Sequence, residues 1–254
     1  MSSLRRLHFP CAPSKANTIF SSLFHKPRTS TPFYSSLSSS SEEPPLQSDS
    51  SNPILTDEEL TQFNLLIPRL CDSNQLATAV NLTTTVLLTN PPLKSLSISV
   101  FIDSLASQPD MTPAMSLLTR LKFTPTSYPH LRPIIVMLVT SYFNKSKFKE
   151  ALKVFNWMQR PDSPCSPDEK IYGIFIHGFC RKGFVLEGLK VFRAMVGANM
   201  VPTCDLKECV YRGLLRQARI KEAKELNDAL VCVDVEGLKR ISLLLDHMFA
   251  EWKD

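Results

Sequence analysis

The side chains of this 254-residue chain that could do acid–base, nucleophilic or metal chemistry begin with five histidines, at 8, 25, 130, 177 and 247, and seven cysteines, at 11, 71, 165, 180, 204, 209 and 232. A zinc site needs imidazoles and thiolates at short fixed spacings, and a zinc deaminase needs an H-x-E together with a C-x-x-C. Neither pattern occurs, and Cys204 and Cys209 stand apart from any histidine that could complete a ligand set. Glycine-rich phosphate loops of the G-x-G-x-x-G or P-loop type are missing as well. His130 has no companion acid or nucleophile and sits in a proline-rich connection, Pro125 to Pro133. The expectation is therefore a non-catalytic protein with no metal and no cofactor. What remains is cationic. Lys145 and Lys147, Arg181 and Lys182, and Arg216 and Arg219 recur at corresponding turns, and cations repeated at a regular interval suit the phosphates of a polyanion.

Net charge sharpens that reading. The chain carries 29 basic and 24 acidic residues, a net of +5. Arg5, Arg6, Lys15, Lys26 and Arg28 account for that excess, so the chain from residue 42 onward is neutral. Its halves differ: residues 42–130 hold 4 basic and 9 acidic side chains, and residues 131–240 hold 19 and 12. A bound polyanion is expected on the later part.

The elements that must position these cations follow from an internal repeat. Ala79, Ala114, Ala151, Gly188 and Ala223 are spaced 35, 37, 37 and 35 residues apart. Each is followed three residues later by Leu82, Leu117, Val154, Val191 or Leu226, and four further on by Val86, Leu121, Met158, Met195 or Leu230. Upstream stand the columns Phe63, Ile98, Ile135, Tyr172, Lys207; then Leu66, Phe101, Leu138, Phe175, Val210; then Ile67, Ile102, Val139, Ile176, Tyr211; then Leu70, Leu105, Tyr142, Phe179, Leu214. These fall at i, i+3, i+4 and i+7, one face of an α-helix. A break comes next at Asn74, Pro109, Ser146, Gly183 and Ala218, and then a second amphipathic helix carrying the small residue. Each unit is a helical hairpin that cannot bury its apolar stripe alone, so neighbours must stack. The sequence predicts an all-α right-handed solenoid of five hairpins, at 61–95, 96–132, 133–169, 170–204 and 205–239. A C-terminal capping helix, ending over 241–254, carries Leu238, Ile241, Leu244, Leu245, Met248, Phe249 and Trp252 at helical spacing. Pro68 is expected to kink its helix, and the prolines at 125, 129 and 133 to stiffen the junction before the third hairpin, making the first two a separate packing unit or a poorly formed cap. Cys71 and Cys180 share a core column and read as small apolar residues.

Residues 1–41 are of another kind: twelve serines, five cations and no acid before Glu42. That composition predicts an organellar transit peptide, followed by a linker over 42–57. No apolar run approaches the length of a membrane span, so no membrane insertion is expected.

The stretch Ile171-Tyr172-Gly173-Ile174-Phe175-Ile176-His177-Gly178-Phe179-Cys180-Arg181-Lys182-Gly183 resembles the first helix of a pentatricopeptide repeat. Glu187 to Met195, closing with Val201-Pro202, resembles the remainder of that repeat, and Lys149 to Met158 with Pro167-Asp168 resembles the second helix of the preceding unit. The W-x-x-L-G-x-x-Y pattern of tetratricopeptide repeats is missing. Over roughly residues 58–240 the chain is similar to short plant organellar members of the pentatricopeptide family.

The resemblance implies non-catalytic binding of single-stranded organellar RNA along a groove lined by first helices, one base per repeat. It implies base-reading pairs at the fourth residue of each first helix and the last residue of the unit: Asn64 with Lys94, Ser99 with Arg132, Val136 with Asp168, and Gly173 with Thr203, Glu208 opening a fifth. Asn64, Ser99 and Asp168 are of the family's reading types; Val136 and Gly173 have no side-chain donor or acceptor for a base edge. The cations named above would meet phosphates. The implied location is the mitochondrion, with the chloroplast as the alternative. The implied role is RNA processing, stability or translation. The rival expectation is a protein-interaction scaffold or a subunit associated with the mitochondrial ribosome, without sequence reading.

Overall fold

The computed structural model describes residues 55–252 apart from 90, 92 and 232–234. The expected transit peptide, most of the linker, Cys11, Cys232, His8 and His25 therefore lie outside the described residues. Eleven α-helices succeed one another among the described residues, with no strand. They are α1 (Asp57–Asp72), α2 (Leu76–Leu87), α3 (Ile98–Ser107), α4 (Thr112–Lys122), α5 (Tyr128–Asn144), α6 (Phe148–Met158), α7 (Glu169–Arg181), α8 (Val185–Gly197), α9 (Cys204–Arg216), α10 (Ile220–Ala229) and α11 (Val235–Glu251). The odd-numbered helices α1 to α9 pack side by side in order, and each packs against the even-numbered helix that comes after it. This is an all-α solenoid.

The periodic columns are its core. All five small residues are buried, from Ala79 to Ala223, as are their partners three and seven positions on. Among the upstream columns only Leu66, Lys207 and Tyr211 are partly exposed. Lys207 stands where the other repeats have Phe, Ile or Tyr, and its ammonium donates to the carbonyl of Leu230 at 2.8 Å. Its aliphatic stem thus covers the core while its head satisfies a helix-end acceptor. Glycine replaces alanine in the fourth small position because Cys180 is close: a Cβ on Gly188 would lie 2.7 Å from its sulfur.

The turns inside the hairpins share one device. Asn74, Ser146, Gly183 and Ala218 all have positive φ, at 56°, 58°, 86° and 58°. The next amide in each case donates back to the column residue at the end of the helix: Gln75 to Leu70, Lys147 to Tyr142, Phe184 to Phe179 and Arg219 to Leu214, at 2.8 to 3.0 Å. This is a Schellman ending, in which a left-handed residue turns the chain and satisfies free carbonyls. The α3–α4 hairpin, whose break contains Pro109, turns without it.

Two expectations are corrected. The proline-rich stretch is a helix rather than a connection: Pro125 opens a 3-10 turn, Pro129 lies in the first turn of α5, and Pro133 lies within it. A proline at the start of a helix forfeits no bond, because that N–H has no acceptor. His130 is consequently 6% exposed inside α5, and burial pushes its imidazole below the usual histidine range. The first two hairpins are also not a separate unit: α3 packs on α5, α4 on α5, and the described residues form one compact body. Pro68 lies inside an unbroken α1, which starts with a capping box between Thr56 and Glu59.

Aromatic rings knit the third and fourth hairpins. Phe143 meets Phe179 edge-on at 5.1 Å between centroids, Phe155 meets Phe175 at 5.0 Å, and Phe148 lies 4.2 Å from Phe184 across the two turns. A Cβ on Gly178 would lie 2.5 Å from the Phe143 ring, so any larger residue there would have to displace that ring. At the far end α11 packs against α8 and α10. It buries Leu238, Ile241, Leu245 and Met248, and Arg193 of α8 holds Asp246 through two hydrogen bonds of 2.8 and 2.9 Å.

Candidate functional site

On α7 the residues Glu169, Gly173, His177 and Arg181 recur at intervals of four and share one face. On α9 the facing residues are Asp205, Cys209, Arg212 and Arg216. Between the two helices runs a groove whose first part, about 440 Å³, is lined by Asp168, Glu169, Lys170, Gly173, His177, Thr203, Asp205 and Leu206. Its continuation, about 330 Å³, is lined by His177, Arg181, Asp205, Glu208, Cys209, Arg212 and Arg216. The groove is polarised along the helices, with Asp168, Glu169 and Asp205 at the amino-terminal ends and Arg181, Arg212 and Arg216 at the carboxy-terminal ends. Gly173 matters here by being small: with no Cβ it leaves the floor open, the nearest side-chain atom to that missing carbon being Leu206 Cδ2 at 3.9 Å. His177 Nδ1, buried in the wall, has no hydrogen-bond partner among the described residues.

Of the six cations expected at phosphates, three are engaged within the protein. Lys145 pairs with Asp103 at 2.9 Å, Lys147 donates to the carbonyl of Gln108, and Arg219 bonds Glu222 at 2.8 Å while lying over the Trp252 ring at 3.8 Å. Arg181, Lys182 and Arg216 are exposed and make no ion pair among the described residues. They sit at the ends of α7 and α9, where the groove is basic.

The expected reading positions divide similarly. Asn64 gives its amide to the carbonyl of Ser95 at 2.7 Å and accepts from the amide of Ser97 at 2.6 Å, so both ends of its side chain clamp the next repeat's approach. Arg132 pairs with Asp168, joining two positions that the resemblance assigns to different bases. Asp168 also accepts from the amide of Ile171 at 2.9 Å, and Thr203 accepts from that of Leu206 at 3.4 Å; each caps the helix it precedes. Glu208 pairs with Arg212 at 2.5 Å. Lys94 and Ser99 are exposed, Val136 half-buried. The groove thus brings together Asp168, Gly173, Thr203, Glu208, Arg181 and Arg216, and it includes Arg212, which the turn-based reading overlooked. Arg212 lies one helical turn before Arg216, and the i, i+4 ridge through 208 and 212 is the signal that finds it.

Cys209 is the most perturbed group in this groove. A hydrogen bond from the Cys180 thiol lowers its pKa to about 6, and neighbouring His177 and Arg181 add to the effect against the opposing cost of burial. Cys180, fully buried behind it, is pushed up by the Cys209 thiolate and by desolvation. No group of three or more histidines, cysteines and acids that could hold a metal occurs among the described residues. No helix there is long and apolar enough to cross a membrane.

Comparison with known proteins bears on these same helices. A model of the PPR repeat family matches residues 137–181, and a PPR repeat model matches residues 170–200. A mitochondrial pentatricopeptide repeat-containing protein of Arabidopsis thaliana is 28% identical over 178 residues, covering 69% of this chain and 14% of that protein's length. The matched segments contain α6, α7 and α8 and the carboxy-terminal part of α5, and the stacked hairpins extend the same construction on either side. The chain carries pentatricopeptide repeats within residues 137–200.

Proposed function

We propose that the chain binds single-stranded RNA in an organelle, the mitochondrion first, without catalysing a reaction, and so supports RNA processing, stability or translation. One observation carries the reading: the α7–α9 groove ends on exposed guanidinium groups, Arg181 and Arg216, with Lys182 beside them and no ion pair drawing them away. Along the groove, backbone-lean Gly173 leaves room for a planar group, while Asp168, Thr203 and Glu208 offer oxygen acceptors to a base edge. Phosphates would lie at the basic ends and bases over the floor. With base-reading side chains largely engaged by neighbours, the contribution from phosphates dominates and sequence reading is loose.

The test is a salt titration of RNA binding by the full chain and by the Arg181→Ala, Lys182→Ala, Arg216→Ala variant. Each lost phosphate contact on a single strand flattens the log–log slope by about 0.7, so the triple variant should lose about 2. An unchanged slope would remove these residues from the interface. Crosslinking in organelles then sorts the role. Narrow single-stranded footprints lost in the variant mark a transcript factor, and footprints confined to ribosomal RNA mark a ribosome-associated subunit.

A second reading has its own observation. Between α4 and α6, on the side away from the groove, lies a cavity of about 940 Å³ floored by Met111, Met115 and Trp157 and rimmed by Arg120, Lys153 and Arg160, with no carboxylate in its lining. Its chemistry fits an acidic segment of a partner protein carrying apolar side chains. Absence of any RNA from the crosslinked material, with binding that resists salt, would favour this scaffold role.

A further inference from the structure

We propose that the groove between α4 and α6 docks an acidic amphipathic helix of a partner protein, seated as the chain's own α11 is seated between α8 and α10. This rests on the scaffold reading and deepens it, and it does not depend on RNA binding. The second helices of the hairpins are not evenly spaced. α2 packs directly on α4, but neither α4 and α6 nor α8 and α10 close on each other in that way. In the α8–α10 gap lies α11, packed on both helices. Its apolar stripe, Leu238, Ile241, Leu245 and Met248, is buried, and its Asp246 is held by Arg193 of α8. The α4–α6 gap is the cavity of about 940 Å³ floored by Met111, Met115 and Trp157. From Thr112 to Arg120 its wall follows α4 for about 12 Å, roughly two turns of an occupying helix.

The repeat register gives the charge of that helix. With Ala114 set against Gly188, Thr119 stands at the place of Arg193 and Arg120 follows it. With Ala151 set against Ala223, Lys153 and Asn156 stand where α10 has Glu225 and Asp228. Positions that are acidic in α10 are thus cationic or neutral in α6. Arg120, Lys153 and Arg160 are exposed at the rim and make no ion pair among the described residues. Arg120 is steadied by a neutral partner, the side-chain oxygen of Asn81. Carboxylates on the occupant would find three cations that the protein leaves without acids. Met115, half-buried, and the buried Met111 and Trp157 would receive its apolar stripe, thioethers adapting readily to varied side chains. α11 itself carries Lys239 and Arg240, so a second copy's α11 matches this rim less well than a helix with acids at those places. RNA matches it less well too: at 5% exposure, Trp157 offers no free ring face to a base.

The experiment measures fluorescence anisotropy of a labelled peptide with the full chain. The peptide is residues 235–251 carrying Lys239→Glu, Arg240→Glu and His247→Glu, which keeps the apolar stripe of α11 and makes the rest acidic. The chain's own α11 is tethered in its seat, so the free peptide reports on the open groove. Binding is expected, and the Arg120→Glu, Lys153→Glu, Arg160→Glu variant should weaken it about tenfold or more. The Arg181→Ala, Lys182→Ala, Arg216→Ala variant should bind the peptide unchanged. A Leu244→Pro version of the peptide, which cannot complete the helix, should bind about tenfold or more weaker; this comparison uses only the unaltered chain. Equal binding of the proline version would overturn the helical occupant while leaving an acidic scaffold ligand standing. No binding of either acidic peptide would remove both the proposal and the scaffold reading. Tighter binding of the unaltered 235–251 peptide would make the occupant a second copy. Displacement of the acidic peptide by single-stranded oligouridylate, lost in the charge-reversed variant, would make the groove an RNA surface.

Discussion

Asp103 sits on α3 and accepts from the Ser141 hydroxyl at 2.6 Å and from the Lys145 ammonium at 2.9 Å, both on or beside α5. These bonds hold its carboxyl below the usual carboxylate range. A depressed acid adds stability above its unfolded pKa and loses it as pH falls through the folded one. Asp103→Asn should therefore lower the melting temperature at pH 7 and converge with the parent chain near pH 3. A difference that stays constant across that range would mean the carboxylate's charge is not involved. Pairings of this sort were not legible in the sequence. The buried columns repeat and can be counted, but Asn64, Arg132 and Lys145 find partners 31 to 42 residues away on surfaces where rotamers are not periodic. Which of the turn cations the protein itself engages depends on those distant acids and carbonyls.

At the scale of elements, the small-residue frame and the breaks after each first helix were readable because close packing and chain reversal restrict residue type. The prolines misled. Pro129 and Pro133 read as a connection, yet the first is favoured in an opening turn, and the second is carried by a 17-residue helix packed on both neighbours. The turn geometry leads to a prediction. Ala218 adopts φ 58° at the place where the α7–α8 hairpin has Gly183. A left-handed non-glycine costs about 1–2 kcal/mol, whereas glycine's extra unfolded-state freedom costs about 0.5–1. Ala218→Gly should thus stabilise the chain by roughly 0.5–1 kcal/mol in urea unfolding. A loss of stability instead would show that contacts of the alanine methyl outweigh the strain.

For the whole described body, each hairpin leans on its neighbours, so the last helix has consequences beyond its own length. α11 buries four apolar side chains, and removing about 1.5 kcal/mol or more for each predicts a loss of roughly 6 kcal/mol on truncation after residue 234. Hydrogen exchange should show α10 and the carboxy-terminal part of α8 losing protection while α3 keeps it. Uniform loss across all helices would indicate a single cooperative unit rather than a chain of neighbour contacts.

The ring contacts of the third and fourth hairpins put the densest interlocking in the interior of the stack, with plainer aliphatic layers toward both ends. Tension applied along the polypeptide would peel the outer hairpins first. The α5–α8 block would act as the anchor from which they rewind.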